Sequence, residues 1–376
     1  MKNFSVGNKV VGMNQPTLII AEAGVNHNGD VKIAKKLCDA AKNAGADIVK
    51  FQTWKTDQLM TPDVKTAKYQ KKTTNEISQY EMAKKLELSF DDFYVLSDYC
   101  KKIDIIFLTT PEDKESVDFV DSLGTYAFKV GSDDLDNLPL IKHIAKKNKP
   151  IIISTGMSTM QEVVNTFEFI KNINRKIAFL HCTSNYPADL SNVNLNALVT
   201  MKQKLPTILG YSDHTTKTWV PLIAISLGAM IIEKHITLDK TLVGPDHSSS
   251  LDKNEFTEMV RLIRTWEREI KSLNKNDIIS KCNKIMKKDM TSEINLTFGT
   301  SKKQPTHSEL PIMKVVKKTI VANEIIEKGD KITTKNIAIK RAGRISINPR
   351  DFYKILGKTA KKHLNPNEII RYETIA

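Results

Sequence analysis

The stretch TLIIAEAGVNHNGDVKIAKKLCDAAKNAGADIVKFQ (17–52) contains the structural unit that decides the fold. It opens with an apolar run, TLIIAEAG (17–24), and closes with a second one, DIVKFQ (47–52). Between them lies the turn NHNGD, followed by a segment with the apolar spacing of a helix. Strand, helix and strand in this order predict two neighbouring parallel strands joined by a helical crossover.

Runs of this kind occur eight times within about the first 240 residues. The other six are IIFLTTP (105–111), AFKVGS (127–132), PIIISTG (150–156), KIAFLHCT (176–183), TILGYSD (207–213) and AMIIEKHIT (229–237). Their apolar and β-branched residues are typical of strands that are buried on both faces. Since most of the runs are followed by a helical pattern, the repeats predict an α/β protein with a (β/α)8 TIM barrel.

Reactive side chains stand at the end of nearly every predicted strand. In a TIM barrel the C-terminal ends of the strands form the catalytic face. The residues at these ends are Glu22, Lys50, Gln52, Thr110, Lys129, Ser132, Ser154, Tyr186, Asp213, His214, Glu233 and His235. Buried charge at strand after strand is not needed for folding, so the sequence predicts an enzyme.

The composition is that of a soluble globular protein, with 376 residues of which 40% are hydrophobic and 27% charged. No apolar run approaches the roughly 20 residues that a membrane span needs. The first residues, MKNFSVGNKVVG, lack the apolar core of a signal peptide. The four cysteines have no paired spacing, which favours reduced thiols. We therefore expect a cytoplasmic protein that does not associate with a membrane.

The net charge of +14 is concentrated near the C-terminus, where residues 301–376 carry 17 Lys and Arg against 7 Asp and Glu. A basic segment of this kind can bind nucleic acid. Here, however, the basic residues alternate with Ile and Val rather than with aromatic residues. We therefore expect no nucleic-acid partner, and a basic field that attracts an anionic, phosphorylated substrate.

Outside the repeats, the sequence predicts a three-part chain. Residues 1–273 form the barrel, which ends in an amphipathic helix within 251–273. Residues 274–311 lose periodicity and are predicted to be a linker, and residues 312–376 a compact, mostly β domain. The long connection between about 53 and 89 is predicted to be a lid or a substrate-binding loop.

Two histidines follow the last two barrel strands, which are neighbours in the predicted barrel. His214 and His235 have the carboxylates of Asp213, Glu233 and Asp246 nearby in the sequence. Imidazole and carboxylate ligands suit a borderline divalent ion such as Mn²⁺, Fe²⁺ or Zn²⁺. The pattern predicts a metal site, with the carboxylates either as ligands or as groups that orient the imidazoles.

Two lysines and two serines end the predicted strands two, four and five. Lys50, Lys129, Ser132 and Ser154 would converge at the barrel mouth as a site for a carboxylate or phosphate. The alternative is a Schiff-base lysine, which would need only one desolvated amine.

The sequence also suggests roles for three further residues, Glu22, His27 and His181. Glu22, at the end of the first strand, is a candidate general base. His27 lies in the following turn, and the sequence supports a structural role and a substrate contact equally. His181 lies within an apolar strand and is interpreted as a core histidine.

Several motifs together resemble the sialic acid synthase family, which includes N-acetylneuraminate synthases and bacterial synthases of legionaminic and pseudaminic acid. They are AEAGVNHNGD, VKFQT, KVGSDDLDNLPL, ISTGM, LHCTSNYP, GYSDHT, IIEKHITLDK and GPDHSSSL, in this order along the chain. The C-terminal unit is similar to the SAF domain, which is related to type III antifreeze proteins. The resemblance implies that phosphoenolpyruvate, an N-acyl mannosamine-type sugar and water are converted to a nine-carbon 2-keto acid and phosphate.

The resemblance also implies roles for individual residues. His214 and His235 would bind Mn²⁺ or Mg²⁺, which polarises the sugar aldehyde. Glu22 would position or deprotonate the attacking water, and Asp246 would lie near the sugar and the metal. The residues that hold phosphoenolpyruvate would be Lys50, Lys129, Ser132 and Ser154. The other substrate-binding positions would be Gln52, Thr110, Tyr186, Asp134 and Ser184.

The chain departs from many relatives at some of these positions. Glu112 stands where many have Phe, Asp133 and Asp134 where many have Gly and Glu, and Ser184 where some have Asn. The altered positions contact the sugar, which leaves the acceptor open between N-acetylmannosamine and 2,4-diacetamido-2,4,6-trideoxymannose.

The resemblance further implies a domain-swapped homodimer, in which the SAF domain reaches over the partner's barrel. Arg341, in the motif KRAG, would then contact the acyl group of the substrate. Two other functions compete with the synthase. One is a metal-dependent aldolase or lyase acting on a sialic-type sugar, which would release no phosphate. The other is a non-catalytic binding protein that would lose nothing when Glu22 is replaced.

Overall fold

A computed structural model describes residues 3–74, 76, 78–269 and 274–376 of the chain. Its strands include a hairpin of β1 (Phe4–Val6) and β2 (Lys9–Val11), which precedes a sheet of eight parallel strands. These eight are β3 (Leu18–Gly24), β4 (Ile48–Thr53), β5 (Ile106–Pro111), β6 (Phe128–Val130), β7 (Ile151–Ser154), β8 (Ile177–Cys182), β9 (Ile208–Asp213) and β10 (Ile231–His235).

The eight strands curl into a nearly closed barrel, which confirms the predicted fold class. The first strand, β3, pairs with the last, β10, and the ladder continues in order around the ring. Strands β5 and β6 lie in contact, although no ladder joins them within the described residues. All eight predicted runs are therefore strands, and their C-terminal ends meet at one rim.

Fifteen helices are formed by the described residues. They are α1 (Val31–Asn43), α2 (Thr56–Leu59), α3 (Lys68–Thr74), α4 (Gln79–Leu86), α5 (Phe90–Lys102), α6 (Lys114–Ser122), α7 (Leu138–Ala145), α8 (Met160–Ile170), α9 (Ala197–Lys204), α10 (Val220–Ser226), α11 (Lys253–Glu269), α12 (Lys275–Met286), α13 (Thr291–Phe298), α14 (Leu310–Val316) and α15 (Phe352–Ile355). Eight of them, α1 and α5–α11, each follow one barrel strand.

Side chains at the helix starts explain where several barrel helices begin. The carboxylate of Asp30 accepts the backbone N–H of Lys32 at the start of α1. Ser89 and Asp92 form a capping box on α5, and Thr159 and Glu162 form another on α8. Such caps satisfy N–H groups that the first turn of a helix leaves without partners.

The N-terminal hairpin closes the base of the barrel. Phe4, Val6 and Val11 are buried and pack in one cluster with apolar side chains of seven barrel strands, among them Leu18 and Ile152. This cluster fills the end of the barrel opposite the catalytic rim, so the open cavity is confined to the C-terminal ends of the strands.

The connection between β4 and α5 contains three short helices, α2, α3 and α4. Its apolar residues Leu59, Met60, Val64 and Met82 are buried together with Trp54. The predicted lid is therefore a packed wall with its own small apolar core, placed beside the strand ends.

The segment 274–311 differs from the prediction of an aperiodic linker. It contains α12 and α13, and their apolar faces belong to the barrel's hydrophobic core through Ile278, Cys282, Ile294 and Phe298. The Lys- and Asn-rich composition hides an amphipathic spacing, because only every third or fourth residue is buried. The preceding barrel helix was expected to end at 273; α11 extends to Glu269, and residues 270–273 lie outside the described part.

The C-terminal unit has a two-stranded antiparallel sheet of β11 (Lys318–Ala322) and β12 (Ile337–Arg341). Its other extended segments are linked by isolated bridges around a core that includes Ile320, Ile332, Ile347 and Leu364. Within the single chain this unit packs on the barrel rim, where the backbone N–H of Thr61 donates to the carbonyl of Arg341.

In the part of the chain that the structure describes, no helix combines the length and the apolar character that crossing a bilayer requires.

Candidate active site

A deep cavity lies at the C-terminal ends of the barrel strands. Its empty volume is about 1120 Å³ with the open mouth included, which is enough for two small substrates. The predicted site residues that line it are Glu22, Lys50, Gln52, Thr110, Lys129, Ser132, Ser154, Ser184, Tyr186, His214, His235, Asp246 and Arg341. Asp134 and Asp213, which were also predicted at the site, do not line it.

The cavity floor is an alternating row of buried charges. Lys50 Nζ lies 2.6 Å from Glu22 Oε2 and 3.7 Å from Glu233 Oε2. Lys129 Nζ lies 3.7 Å from the other oxygen of Glu233, which also accepts the hydroxyl of Ser212 at 2.9 Å. The parallel register produces this row, because Glu22 is directly opposite Lys50 on one side and His235 on the other.

Burial and neighbouring charge act on these four groups in different ways. Burial alone would raise the pKa of Glu233, but Lys129 and Lys50 hold it at about 2. Burial would lower the pKa of Lys50, yet Glu22 and Glu233 raise it. Burial lowers the pKa of Lys129 and raises that of Glu22. Glu22 is therefore the carboxylate of the row with the increased proton affinity.

A small cradle of hydroxyl and amide groups adjoins Lys129. The ammonium of Lys129 donates to Ser154 Oγ at 2.7 Å, and the backbone N–H of Gly156 donates to Ser132 Oγ at 2.9 Å. A Cβ on Gly156 would lie 2.1 Å from Ser184 Oγ, so only glycine allows the backbone this close. A cation, hydroxyls and an N–H in one place suit a phosphate or carboxylate group.

His214, His235 and Tyr186 form a cluster on the opposite side of the floor. The two imidazole centroids are 5.5 Å apart, and the ring of Tyr186 lies 4.2 Å from that of His214. His214 Nδ1 contacts the carbonyl of Thr183 at 2.8 Å, which leaves Nε2 to face the cavity. His235 Nδ1 is buried without a hydrogen-bond partner and lies 3.7 Å from Asp246 Oδ2.

This donor set fits a divalent cation. Burial, reinforced by His214, lowers the pKa of His235 well below its ordinary value, which keeps this ring a neutral ligand. Burial would also lower the pKa of His214, but the Cys182 thiol, 3.8 Å from its Nδ1, raises it to about 9. A proton and a metal ion would therefore compete for His214.

Asp246 and Glu22 face each other across a bulge in β3. The register shifts between Glu22 and Gly24, and Gly24 has a φ of +53°. A Cβ placed on Gly24 would lie within 3.5 Å of Glu22, Gln52 and Asp246. Burial, with a further contribution from Glu22, raises the pKa of Asp246 to about 7. Asp246 can therefore hold a proton near neutral pH.

A charged rim joins the cavity to the C-terminal unit. Arg341 Nη2 lies 2.6 Å from Asp133 Oδ2 and 3.7 Å from Glu112 Oε2. Lys318 Nζ, fully buried, lies 2.5 Å from Asp134 and 3.2 Å from Glu112. The three carboxylates are close enough to hold a metal ion, but each already pairs with Lys318 or Arg341. Asp134 accepts hydrogen bonds from Lys318 and Asn137 and does not line the cavity. Asp133 lines it instead.

The remaining wall of the cavity is apolar and comes from the segment after β4. Its lining residues are Trp54, Leu59, Met60, Met82, Ala83 and Leu86, joined by Val25 after β3. Two amides are embedded in this wall. Gln79 Nε2 donates to Gln70 Oε1 at 3.1 Å, and Gln79 Oε1 is buried without a partner.

Sequence reasoning placed some residues wrongly or overlooked them. Asp213 was expected beside the metal, yet it pairs with Lys234 at 2.5 Å and does not line the cavity. Glu233, expected at the metal, lies between the two lysines instead. Ser212, the partner of Glu233, was missed, although its place two residues before His214 and its alternation with Tyr211 could have revealed it.

His27 and His181 do not line the cavity. His27 is fully buried, and its Nδ1 accepts the backbone N–H of Gly29 in the turn, which supports the structural reading. His181 contacts the carbonyl of Val193 at 2.8 Å, and burial lowers its pKa to about 3. The interpretation of His181 as a core histidine is confirmed.

Comparisons with known proteins agree with this architecture. Residues 37–275 match the NeuB family and residues 317–376 match the SAF domain. An N,N'-diacetyllegionaminic acid synthase of Legionella pneumophila is 39% identical over 98% of this chain and 97% of its own. One of Campylobacter jejuni is 40% identical over 94% and 99%. The crystal structure of a spore coat polysaccharide biosynthesis protein of Bacillus subtilis superposes with a TM-score of 0.81, at 32% identity over 100% and 99% of the chains.

Proposed function

Since the chain belongs to the NeuB family of sialic acid synthases, we propose that it condenses phosphoenolpyruvate with an N-acyl mannosamine-type sugar and water. The products are a nine-carbon 2-keto acid and phosphate. The observation that carries this proposal is the row Glu22–Lys50–Glu233–Lys129 beside the cradle of Ser132, Ser154 and Gly156. It offers two fixed ammonium groups and several hydroxyl groups to a small substrate with two anionic groups.

Phosphoenolpyruvate binds at the end of this row. Lys129 and the hydroxyl groups of Ser154 and Ser132 hold one anionic group, and Lys50 with Thr110, 3.2 Å from its Nζ, holds the other. Because these donors are buried and already in place, they stabilise the charge of the tetrahedral intermediate without further reorganisation. Ser212 and Glu233 keep the two ammonium groups at a constant spacing.

The acceptor sugar lies between the floor and the apolar wall. His214 and His235 would hold a divalent ion, Mn²⁺ or Mg²⁺, which supplies Lewis-acid polarisation of the acceptor's aldehyde. Asp246, which retains a proton near pH 7, donates it to the aldehyde oxygen as the new carbon–carbon bond forms.

Glu22 then completes the reaction at the former enol carbon. Its carboxylate, oriented by Gln52 at 2.9 Å, takes one proton from the attacking water. The resulting tetrahedral intermediate collapses to the keto acid, and its hydroxyl proton leaves with phosphate. Burial raises the basicity of Glu22, which suits this step.

For the acceptor we propose 2,4-diacetamido-2,4,6-trideoxymannose over N-acetylmannosamine. Two full-length relatives near 40% identity carry the name of N,N'-diacetyllegionaminic acid synthases. The apolar residues Leu59, Met60 and Met82 suit a methyl group at carbon 6 better than a hydroxymethyl. Gln79, whose buried Oε1 has no partner, can accept a hydrogen bond from the N–H of a second acetamido group.

We propose that the protein works in the cytoplasm as a domain-swapped homodimer, without nucleic-acid or membrane partners. A swap exchanges identical elements, so the rim contacts of Lys318 and Arg341 can form between subunits as well as within one chain. The three-part division into 1–273, 274–311 and 312–376 likewise stays a proposal.

The test is phosphate release from phosphoenolpyruvate in the presence of Mn²⁺, with each of the two sugars in parallel. We expect release that depends on the 6-deoxy diacetamido sugar, stops with EDTA and returns on addition of Mn²⁺. The same samples, supplied with pyruvate in place of phosphoenolpyruvate, test the lyase. Product formed from pyruvate, with no phosphate released from phosphoenolpyruvate by either sugar, would overturn the synthase in favour of the lyase.

A further inference from the structure

The chain between the barrel and the C-terminal unit is attached to the catalytic rim along most of its length. We name residues 299–316 the strap. At its start, carbonyl groups of Gly299, Ser301 and Lys302 accept hydrogen bonds from side chains at 194–200, after β8. Further along, the buried ammonium of Lys303 donates to the carbonyls of Thr155 and Ser158, after β7. The strap therefore contacts the loops that follow two adjacent barrel strands.

Glu309 joins these two loops. Its carboxylate is 1% exposed, and Oε1 accepts the backbone N–H of both Met157 and Ser184 at 2.8 Å. Oε2 accepts the backbone N–H of Thr306 at 2.8 Å and its hydroxyl at 3.0 Å. One buried side chain thus satisfies four donors, two of which belong to loops separated by a complete strand–helix repeat.

Both loops contribute to the cavity at the positions that Glu309 holds. Met157 and Ser184 line it. The cradle residues Ser154 and Gly156 belong to the same stretch of chain, just before Met157. Met157 has a φ of +55°, a left-handed conformation that a side chain other than glycine adopts only when its surroundings hold it there. The bond from its N–H to Glu309 is such a constraint.

We propose that Glu309 is a positioning residue for the anion cradle. By fixing the N–H groups of Met157 and Ser184 to one oxygen atom, it sets the separation between the loops after β7 and β8. The hydroxyl groups of Ser154 and Ser184 then converge on one substrate group, beside Ser132, whose Oγ accepts the N–H of Gly156. The strap is in this sense part of the active site rather than a tether.

The chemistry of four donors around one carboxylate makes the proposal testable. In Glu309→Leu the side chain keeps a similar size, but neither of its ends can accept a hydrogen bond. Both loop N–H groups and Thr306 then lose their acceptor. Thr306→Ala is the matched control, since it removes one bond to Oε2 and leaves both loop bonds intact.

The experiment measures two properties of Glu309→Leu, Thr306→Ala and the unchanged full-length protein. Amide hydrogen exchange is followed in the peptides that contain Met157 and Ser184, and the affinity for phosphoenolpyruvate alone is measured by titration calorimetry. We expect Glu309→Leu to exchange faster in both peptides and to bind phosphoenolpyruvate about tenfold to a hundredfold more weakly, as small displacements of binding groups do. Thr306→Ala should resemble the unchanged protein in both.

The outcomes separate this proposal from the proposed function, on which the binding measurement rests. Unchanged exchange, or faster exchange with unchanged affinity, in folded Glu309→Leu would overturn the positioning role. If the unchanged protein does not bind phosphoenolpyruvate, the proposed function fails, and exchange at the two peptides alone decides for or against Glu309. Should Glu309→Leu not fold, Glu309→Asp, which keeps the charge but shortens the reach, is measured by the same two criteria.

Discussion

Arg341 Nη2 lies 2.6 Å from Oδ2 of Asp133, and this ion pair joins the C-terminal unit to the barrel rim. Both residues line the cavity, so the small unit completes the site rather than only covering it. A site assembled from two units can be built within one chain or across a dimer, and the distinction is open to experiment.

Mixing two inactive variants tests the domain-swapped dimer. Glu22→Gln removes a catalytic group that the barrel contributes to the site. Arg341→Ala removes a side chain that the C-terminal unit contributes to the same site. In a swapped dimer, one of the two sites of each mixed dimer receives an intact barrel and an intact Arg341. We expect the pair, unfolded and refolded together, to recover up to about a quarter of full activity. Two copies of the same variant, refolded alike, are the control, and no recovery in the mixture would show that each site is built within one chain.

Replacement of Glu22 tests the proposed base. Glu22→Gln keeps the contact with Gln52 but removes the proton acceptor, so we expect kcat for phosphate release to fall by about 10²- to 10⁴-fold. The KM for phosphoenolpyruvate should change far less than kcat, because the lysines remain. Glu258→Gln, at an exposed ion pair on α11, is the control. A folded Glu22→Gln protein with normal kcat would refute the assignment.

The raised pKa of Asp246 predicts a pH-dependent stability. Its folded-state value of about 7 lies above the ordinary 3.8, so the folded protein binds more protons than the unfolded chain between these values. Stability therefore falls as pH rises from about 4 to 7, by at most ~4 kcal/mol for this one group.

Urea unfolding of the metal-free protein at pH 5 and pH 8 measures that change. Asp246→Asn, which cannot ionise, should lose less stability between the two pH values than the unchanged protein. Equal losses in the two proteins would mean that Asp246 titrates normally.

Lys318 is expected to be essential for the stability of the rim. Its ammonium is fully buried between Asp134 and Glu112, and Lys318→Met would leave these carboxylates with only Arg341 as a counter-charge. Removing one partner of a buried ion pair destabilises a protein by about 3–5 kcal/mol. Lys354→Met, which breaks an exposed pair with Asp351, should cost far less, because solvent screens the pair. Chemical denaturation compares the two, and similar losses would contradict the network.

Much of the site could be predicted because, in a barrel, residues near the C-terminal ends of the strands meet at one rim. Glu22, Lys50 and Lys129 each end an apolar strand, and the parallel register brings strand ends to one rim. What the pattern could not provide was the pairing among them. Glu233 was expected at the metal because it lies two residues before His235. It lies instead between the ammonium groups of Lys50 and Lys129.

The connecting segments were predicted less well than the strands. The composition of 274–311 indicated a linker, yet Ile278, Cys282 and Ile294 are buried in the barrel core. A few apolar residues spaced along a Lys- and Asn-rich helix give a weak periodic signal. Their burial becomes evident only when the barrel surface that receives them is present.

The sequence by itself determined the barrel, because eight apolar runs with intervening helices have few other ways to bury their surface. It also determined which residues reach the catalytic rim. Only the tertiary structure decided which charges neutralise one another and that Asp133, rather than Asp134, faces the cavity. It also revealed that Glu309, from a segment without recognisable pattern, holds Met157 and Ser184. The physical reason is range: strand and helix periodicity is local, whereas hydrogen bonds and ion pairs depend on the distances that folding creates between remote residues.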